Sequence, residues 1–440
     1  MRVSVFTLGC KLNQCESEAI ADTFAKEGFE VVKNQQAADL VIVNSCTVTS
    51  KAEQKTRRMI RKFANEEHKP IVLVTGCYAQ LEQEEIEKLS DSVVVVSLDD
   101  KPSLLKLPGF LAKYLVADFN LKEAVREFAA LDKNNSNPFA YDAATFSFHS
   151  RAFLKIQDGC DNSCAFCRVT IARGDAISLD YPEVLSRALA LQKDGFREIV
   201  LTGVNISAYK SDDYNLAKLI KLLLDNLDSS MRIRLSSLEP DRIDDELIET
   251  FKDSRIQSHF HIPIQSGSEA VLKRVNRHYD VNKLFDIVNA LRSVKDDPFI
   301  GADIITGLPG ETEEEFEKSF EILKALNLSQ LHVFPFSARP QTDLFDAKDK
   351  VCERERDLRA QKLRNYSAYQ YRQYAKRQIG KTVELLLEER GKNGWIGITD
   401  NYLKVELNTE ELKFKKGDIV TVTIQAKSLS LLPSAKLVAS

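Results

Sequence analysis

Along the first 120 or so positions, short apolar runs rich in β-branched residues alternate with polar stretches of helical character. Three such runs are Val3-Ser4-Val5-Phe6-Thr7-Leu8-Gly9-Cys10, Leu40-Val41-Ile42-Val43-Asn44-Ser45-Cys46 and Ile71-Val72-Leu73-Val74-Thr75-Gly76-Cys77. Runs this short, apolar on both faces and followed by a helix, predict buried parallel strands in an open α/β sheet. The alternation resumes at Arg151-Ala152-Phe153-Leu154-Lys155-Ile156. It continues through Glu198-Ile199-Val200-Leu201-Thr202, Ile233-Arg234-Leu235-Ser236-Ser237, His259-Phe260-His261-Ile262-Pro263-Ile264, Ile300-Gly301-Ala302-Asp303-Ile304-Ile305 and Gln330-Leu331-His332-Val333-Phe334. Repeated β/α units of this length predict a parallel barrel, complete or partial. Short strands near the end, around Glu384-Leu385-Leu386-Leu387, Trp395-Ile396-Gly397-Ile398 and Val420-Thr421-Val422-Thr423-Ile424, predict a small β-barrel or sandwich.

The predicted fold class is therefore α/β: an N-terminal open parallel sheet, a central partial (β/α) barrel and a small C-terminal β-barrel. Boundaries are expected at residues 1–121 for the first unit, 122–148 for a polar linker containing Lys133-Asn134-Asn135-Ser136-Asn137-Pro138, 149–374 for the barrel and 375–440 for the last unit.

Cysteine placement changes the picture from fold to chemistry. Cys160, Cys164 and Cys167 have the spacing Cys-x3-Cys-x2-Cys, which offers a metal three thiolates and withholds the fourth. Structural zinc closes its tetrahedron with four protein ligands, and an electron-carrying 4Fe-4S cluster normally has four cysteines. Three therefore point to an iron left open for a substrate or cofactor. A partial zinc knuckle is the plainer alternative. Cys10, Cys46 and Cys77 each close a predicted strand, and in an open α/β sheet the carboxyl ends of the strands form the ligand crevice. Buried cysteines also behave as small hydrophobes, but three at equivalent positions favour a second cluster site. Cys15 and Cys352 do not share that placement and are read as structural or incidental.

Composition sets limits. The 440 residues carry 43% hydrophobic residues and a formal charge of -4, with a mean hydropathy of -0.26 and a pI near 6.0. No apolar run approaches the ~20 residues needed to span a bilayer, Met1-Arg2 leads directly into the first strand, and the cysteines read better as metal ligands than as disulfides. A cytoplasmic protein without membrane contact is expected. The charge gives no global nucleic-acid signature, so a polyanion has to be met locally. Lys51 to Lys62 carries six basic residues and one acid, and Lys350 to Lys381 carries ten against three, interleaved with Tyr366, Tyr369, Tyr371 and Tyr374. Basic groups neutralise phosphates and tyrosines stack on unpaired bases. The second patch reads equally well as an amphipathic helix whose tyrosines pack on the barrel.

Just past the central strands lie Gly203, Ser237 with Glu239-Pro240, Gln265-Ser266-Gly267-Ser268 and Gly307-Leu308-Pro309-Gly310-Glu311. That face is where such barrels build active sites, and these residues form a candidate cofactor pocket.

The cysteine triplet, with Phe166 immediately before its last member, resembles the radical S-adenosylmethionine enzymes. Over essentially its full length the chain resembles one of their families, the radical S-adenosylmethionine methylthiotransferases. The carrying motifs, besides the triplet, are Thr7-Leu8-Gly9-Cys10-Lys11-Leu12-Asn13-Gln14 with Glu16 and Glu18, Asn44-Ser45-Cys46-Thr47-Val48-Thr49, Thr75-Gly76-Cys77-Tyr78-Ala79-Gln80, His261-Ile262-Pro263-Ile264-Gln265-Ser266-Gly267-Ser268 and Asp303-Ile304-Ile305-Thr306-Gly307-Leu308-Pro309-Gly310-Glu311-Thr312. The resemblance implies that Cys160, Cys164 and Cys167 are catalytic and bind the 4Fe-4S cluster that cleaves S-adenosyl-L-methionine. It implies an auxiliary 4Fe-4S cluster on Cys10, Cys46 and Cys77, and cofactor contacts from Phe166, Gly203, Ser237, Glu239, Gln265, Ser266 and Asp303. It further implies that two cosubstrate molecules are consumed, one donating a methyl group to sulfur and the other giving the radical that takes hydrogen from an adenine C2. An unactivated aromatic C–H has no acidic proton for ordinary acid–base catalysis to use. The partners implied are tRNA at its anticodon stem-loop, gripped by a TRAM-like C-terminal domain, and an electron donor such as flavodoxin or ferredoxin.

Gly9-Cys10-Lys11-Leu12-Asn13-Gln14 and His332-Val333-Phe334-Pro335-Phe336-Ser337-Ala338-Arg339 resemble the branch acting on N6-threonylcarbamoyladenosine. Isopentenyladenosine in tRNA, an aspartate of a ribosomal protein, and a non-enzymatic RNA-binding zinc protein are the alternatives. Asp175-Ala176-Ile177-Ser178-Leu179 stands where the family commonly has Arg-Ser-Arg, and Gln341-Thr342 where it commonly has Gly-Thr.

Overall fold

The computed structural model describes residues 1–114, 120–131, 137–141, 149–392, 394–408, 413–426 and 433–437. Two stretches of the expected linker, 132–136 and 142–148, lie outside the described residues.

The three apolar runs form parallel strands Arg2–Thr7, Leu40–Ser45 and Ile71–Gly76, joined by Glu30–Val31 and Val93–Val95 into a five-stranded sheet. Its spatial order is second, first, third, fourth, fifth. In that order the chain reverses direction across the sheet between the first and third strands, and ligands bind at that switch. Cys10 and Cys46 follow those two strands, and Cys77 follows the adjacent fourth. All residues of Leu40–Ser45 and Ile71–Gly76 are buried, as expected of strands covered on both faces.

Six parallel strands form the central unit. Ala152–Lys155, Glu198–Thr202 and Arg232–Leu235 make one half, and His259–Gln265, Phe299–Thr306 and Gln330–Pro335 the other. Single bridges Ile233↔Ile256 and Ser237↔His261 link the halves into an open, partial barrel. Helix Lys11–Lys26 of the first unit packs on the edge strand Ala152–Lys155, where Cys15 Sγ approaches the Phe153 carbonyl at 3.4 Å. Leu121–Ala130, where the linker was expected to begin, is a helix capped by Asn120 that buries Ala124, Val125 and Phe128 in the same core.

The C-terminal unit is a closed five-stranded barrel. Two of its strands, Lys404–Asn408 and Ser434–Leu437, were not anticipated. It docks beneath the central barrel through Arg234, whose guanidinium donates to the Thr399 and Asp400 carbonyls at 3.2 and 3.0 Å. The helix before it, Glu353–Gln378, follows the packed reading for three of its tyrosines. Tyr374 is fully buried and bonds the Asp297 carbonyl at 3.0 Å, Tyr371 packs edge-on to Phe299, and Tyr366 edge-on to Phe320. Only Tyr369 of the four is exposed. No described helix is long and apolar enough to cross a membrane.

Candidate active site

A cavity of about 610 Å³ opens where the carboxyl ends of both parallel sheets face each other, within the usual range for ligand sites. Cys10, Cys46 and Cys77 line it from one side and Cys160, Cys164 and Cys167 from the other. All six are free thiols. Within each triplet the sulfurs feel one another. Burial, reinforced by Cys77 and Cys10, pushes the Cys46 thiol up to about 12. Burial, reinforced by Cys164 and Cys160, pushes Cys167 up to about 11. Thiols raised in this way are protonated at neutral pH until a metal supplies the charge that displaces their protons.

Two guanidinium groups are aimed at these sulfurs. Arg173, at the end of the short helix Val169–Arg173, donates from Nε to Cys77 Sγ at 3.3 Å and from Nη2 to Asn13 Oδ1 at 2.9 Å. Its Nη1 holds Asp158 at 2.9 and 3.0 Å and Glu16 at 3.2 Å. Lys101 and Lys155 also pair with Glu16, so two buried carboxylates face three buried cations. The unbalanced positive charge lies against the first triplet, an arrangement that suits anionic iron-bound thiolates and not a set of neutral thiols. On the other side Arg277 donates to Cys164 Sγ at 3.1 Å and holds Glu239 at 2.5 Å. Both donor sets therefore fit 4Fe-4S clusters, with sulfur ligands that receive N–H hydrogen bonds.

Of the expected cofactor contacts, Phe166, Gly203, Ser237, Glu239, Gln265 and Asp303 line the cavity. Ser266 does not. Its hydroxyl accepts from the Ser268 amide at 3.1 Å in a buried turn that begins at Gln265, where the strand ends and the backbone is left-handed with φ +66. Burial raises the pKa of Glu239 even with Arg277 beside it. Burial would raise Asp303 too, but hydrogen bonds from His261 and His332 outweigh it and hold the carboxyl well below the usual carboxylate range. Their distances are 3.0 and 3.4 Å, and the three side chains come from adjacent parallel strands.

Arg277 and His259 in the cavity had no functional signal in the sequence, whereas Lys11 belongs to the Gly9–Gln14 motif. Arg277 sits in an ordinary-looking Lys-Arg-Val-Asn-Arg stretch and reaches Cys164 across 113 positions. Lys11 and His259 line the end of the cavity nearest the C-terminal barrel, beside Tyr402 of that barrel. Burial, aided by Arg151 and Arg234, lowers Lys11 to about 7. The departures also have a structural reading. Gln341 has φ +68, a left-handed conformation that explains why glycine is common there. The Asp175 stretch seals the cluster loop, its Asp175 carbonyl packing where a side chain on Gly159 would stand.

Comparison with known proteins agrees with this geometry. Residues 2–97 match the uncharacterized protein family UPF0004 and residues 154–323 the radical SAM superfamily. The chain is 37% identical to a threonylcarbamoyladenosine tRNA methylthiotransferase MtaB of Treponema pallidum, covering 92% of this chain and 94% of the relative. It is also 37% identical to one of Bacillus subtilis, covering 96% and 93%. A tRNA-2-methylthio-N(6)-dimethylallyladenosine synthase of Agrobacterium fabrum is 32% identical over 97% and 95%. Among solved structures, the radical S-adenosylmethionine methyltransferase TsrM of Kitasatospora setae shares the fold, with a TM-score of 0.53, 13% identity and 78% and 77% coverage.

Proposed function

The chain belongs to the radical S-adenosylmethionine methylthiotransferases, and from that premise we propose that it adds a methylthio group to C2 of N6-threonylcarbamoyladenosine, 3′ of the anticodon in tRNA, using two 4Fe-4S clusters. It is a transferase that uses S-adenosylmethionine and a 4Fe-4S cluster. The observation that carries the finer reading is the lining of one cavity by both cysteine triplets. A nucleobase admitted there would lie within reach of both.

Cys160, Cys164 and Cys167 would hold the cluster that engages S-adenosylmethionine, and Cys10, Cys46 and Cys77 the second. When bound, the clusters supply the electron that cleaves the cosubstrate and the sulfur to be transferred. The protein's own work is positioning and exclusion of water. Arg277 keeps Glu239 oriented beside Cys164. Arg173 ties the two parallel sheets together at the first triplet, because it holds Asp158 of the central unit and Asn13 and Glu16 of the first unit at once. Glu53, Arg168 and Arg339 form a second, buried tie between the units.

For RNA, the supporting surface is helix Ser50–Ala64, whose Lys51, Lys55, Arg58 and Lys62 are exposed at helical spacing on one face. The helix starts two residues after Val48, an exposed apolar residue on the cavity wall. We assign residues 1–121 to the auxiliary-cluster unit, 149–374 to the radical core and 375–440 to an RNA-gripping unit, in a cytoplasmic enzyme served by a flavodoxin- or ferredoxin-type donor. The relatives named for threonylcarbamoyladenosine favour that base over dimethylallyladenosine. Family membership sets aside the non-enzymatic zinc protein.

The test is nucleoside mass spectrometry of tRNA from cells with and without the gene. A methylthio increment on threonylcarbamoyladenosine that disappears with the gene supports the reading. An increment lost from isopentenyladenosine instead, or an unchanged profile, refutes the assigned base.

A further inference from the structure

The end of the cavity beside Tyr402 carries a lysine without an ion pair. Lys11 follows Cys10 directly and its Nζ stands 5.7 Å from the Tyr402 ring centroid. Among the described residues it has no hydrogen bond and no ion pair. The other cations there are already matched. Arg234 holds Glu198 through two bonds at 2.6 and 3.2 Å, and Arg151 pairs with Glu388 at 2.8 Å and with Glu198 at 3.9 Å. The carboxylates at the far end are matched too, Glu239 by Arg277 and Asp303 by His261 and His332.

Basic and aromatic groups surround Lys11. His259 is 4% exposed, lines the cavity and stacks on Tyr402 with ring centroids 4.0 Å apart, and the Arg234 and Arg151 guanidinium groups lie 5.3 and 5.8 Å from the same ring centroid. The His259 Nδ1 is buried beneath the cavity surface without a hydrogen-bond partner. Carboxylates of the described residues pair with Arg234 and Arg151 but not with Lys11, so the acceptor for Lys11 is an anionic group that arrives with a ligand.

We infer that Lys11 forms a subsite for the free carboxylate of an amino-acid substituent on the target nucleobase, and is the residue that selects such bases over those with apolar substituents. The inference rests on the proposed substrate. The threonylcarbamoyl group is an amino acid joined through its nitrogen, which leaves its carboxylate ionised, whereas an isopentenyl group offers only hydrocarbon. A site built around a charged hydrogen bond rejects a ligand that cannot complete it, because the donors are then left unpaired.

The test uses the anaerobically reconstituted protein and three fluorescent anticodon stem-loops that differ only at the target base: threonylcarbamoyladenosine, its carboxyl methyl ester, and isopentenyladenosine. Equilibrium binding by anisotropy is expected to favour the free acid over the ester by about ten- to a hundredfold. Lys11→Met removes that preference and Lys11→Arg restores most of it. The ester comparison in the unaltered protein stands even if a variant folds poorly. Equal binding of acid and ester, or a preference that survives Lys11→Met, overturns the inference. So does a weakening of S-adenosylmethionine binding in Lys11→Met that matches the loss for RNA, since Lys11 would then serve the cosubstrate carboxylate. The parent reading is scored separately by whether the unaltered protein methylthiolates the free-acid stem-loop at all.

Discussion

Arg173 Nε donates to Cys77 Sγ at 3.3 Å while Nη1 of the same guanidinium grips Asp158 at 2.9 and 3.0 Å. One buried cation thus joins a sulfur of the N-terminal sheet to the first strand-end carboxylate of the central barrel. Hydrogen bonds and positive charge at a ligand sulfur stabilise the reduced, more negative cluster. Arg173→Met is expected to retain iron at the other triplet and to lower the reduction potential of the cluster on Cys10, Cys46 and Cys77. Redox titration followed by electron paramagnetic resonance checks this, and an unchanged potential would leave Arg173 with a structural role only.

Two glycines with left-handed backbone separate strain from crowding. Gly28 has φ +81 with open space where a side chain would stand, so Gly28→Ala is expected to cost about 1 kcal/mol from conformation alone. Gly159 has φ +66, and a Cβ there would lie 1.8 Å from the Asp175 carbonyl oxygen. Gly159→Ala must therefore displace the loop that carries Cys160. Its expected signature is a larger loss of stability in urea together with loss of iron from the Cys160 triplet, neither of which Gly28→Ala shows.

Glu198 and Arg234 are both fully buried and paired at 2.6 Å. Burial would raise the Glu198 pKa, but Arg234 outweighs it and holds the carboxyl below its ordinary value. A folded pKa below the unfolded value of about 4.3 stabilises the protein above that pH, and the contribution is lost as pH falls through the folded pKa. Arg234→Leu reverses the sign. Left with Arg151 at 3.9 Å as its nearest cation, the buried carboxyl then favours its proton, so a destabilisation of about 3 kcal/mol at pH 7 is expected to shrink as pH falls toward 4. Urea melts across that range measure it, and a pH-independent difference would contradict it.

Neutralising Lys51, Lys55, Arg58 and Lys62 with Gln is expected to weaken tRNA binding similarly for all sequences. The salt dependence of log K should flatten by about 0.7–0.9 for each phosphate that these cations no longer neutralise. An unchanged slope would move the RNA footprint away from helix Ser50–Ala64.

What the sequence made legible was whatever its local pattern encodes. The strand-end positions of Cys10, Cys46 and Cys77 followed from β-branched runs ending at the same kind of residue, and the barrel strands from their repeat. Strands Lys404–Asn408 and Ser434–Leu437 escaped notice because both are short and carry charged or polar residues that alternate within a small barrel. For Tyr366, Tyr371 and Tyr374 the sequence left base stacking and packing on the barrel equally open, because nothing local reveals that Phe299 and Phe320 stand opposite them. Arg277 and His259 belong to the same class, since each acquires its surroundings from residues distant in sequence, while Lys11 stood in the Gly9–Gln14 motif without its neighbour Tyr402 being foreseeable. The cavity's electrostatics were therefore invisible until the chain was folded, although its sulfurs were not.

The most direct test of the account is the mass of a threonylcarbamoyladenosine stem-loop after reaction with S-adenosylmethionine and reductant, run side by side with unaltered protein and with a variant in which Cys10, Cys46 and Cys77 are all Ala. A methylthio increment from the first, and none from the second while 5′-deoxyadenosine still forms, is the predicted result. Methylthiolation by the triple variant would contradict the claim that the cavity works through two distinct sulfur triplets.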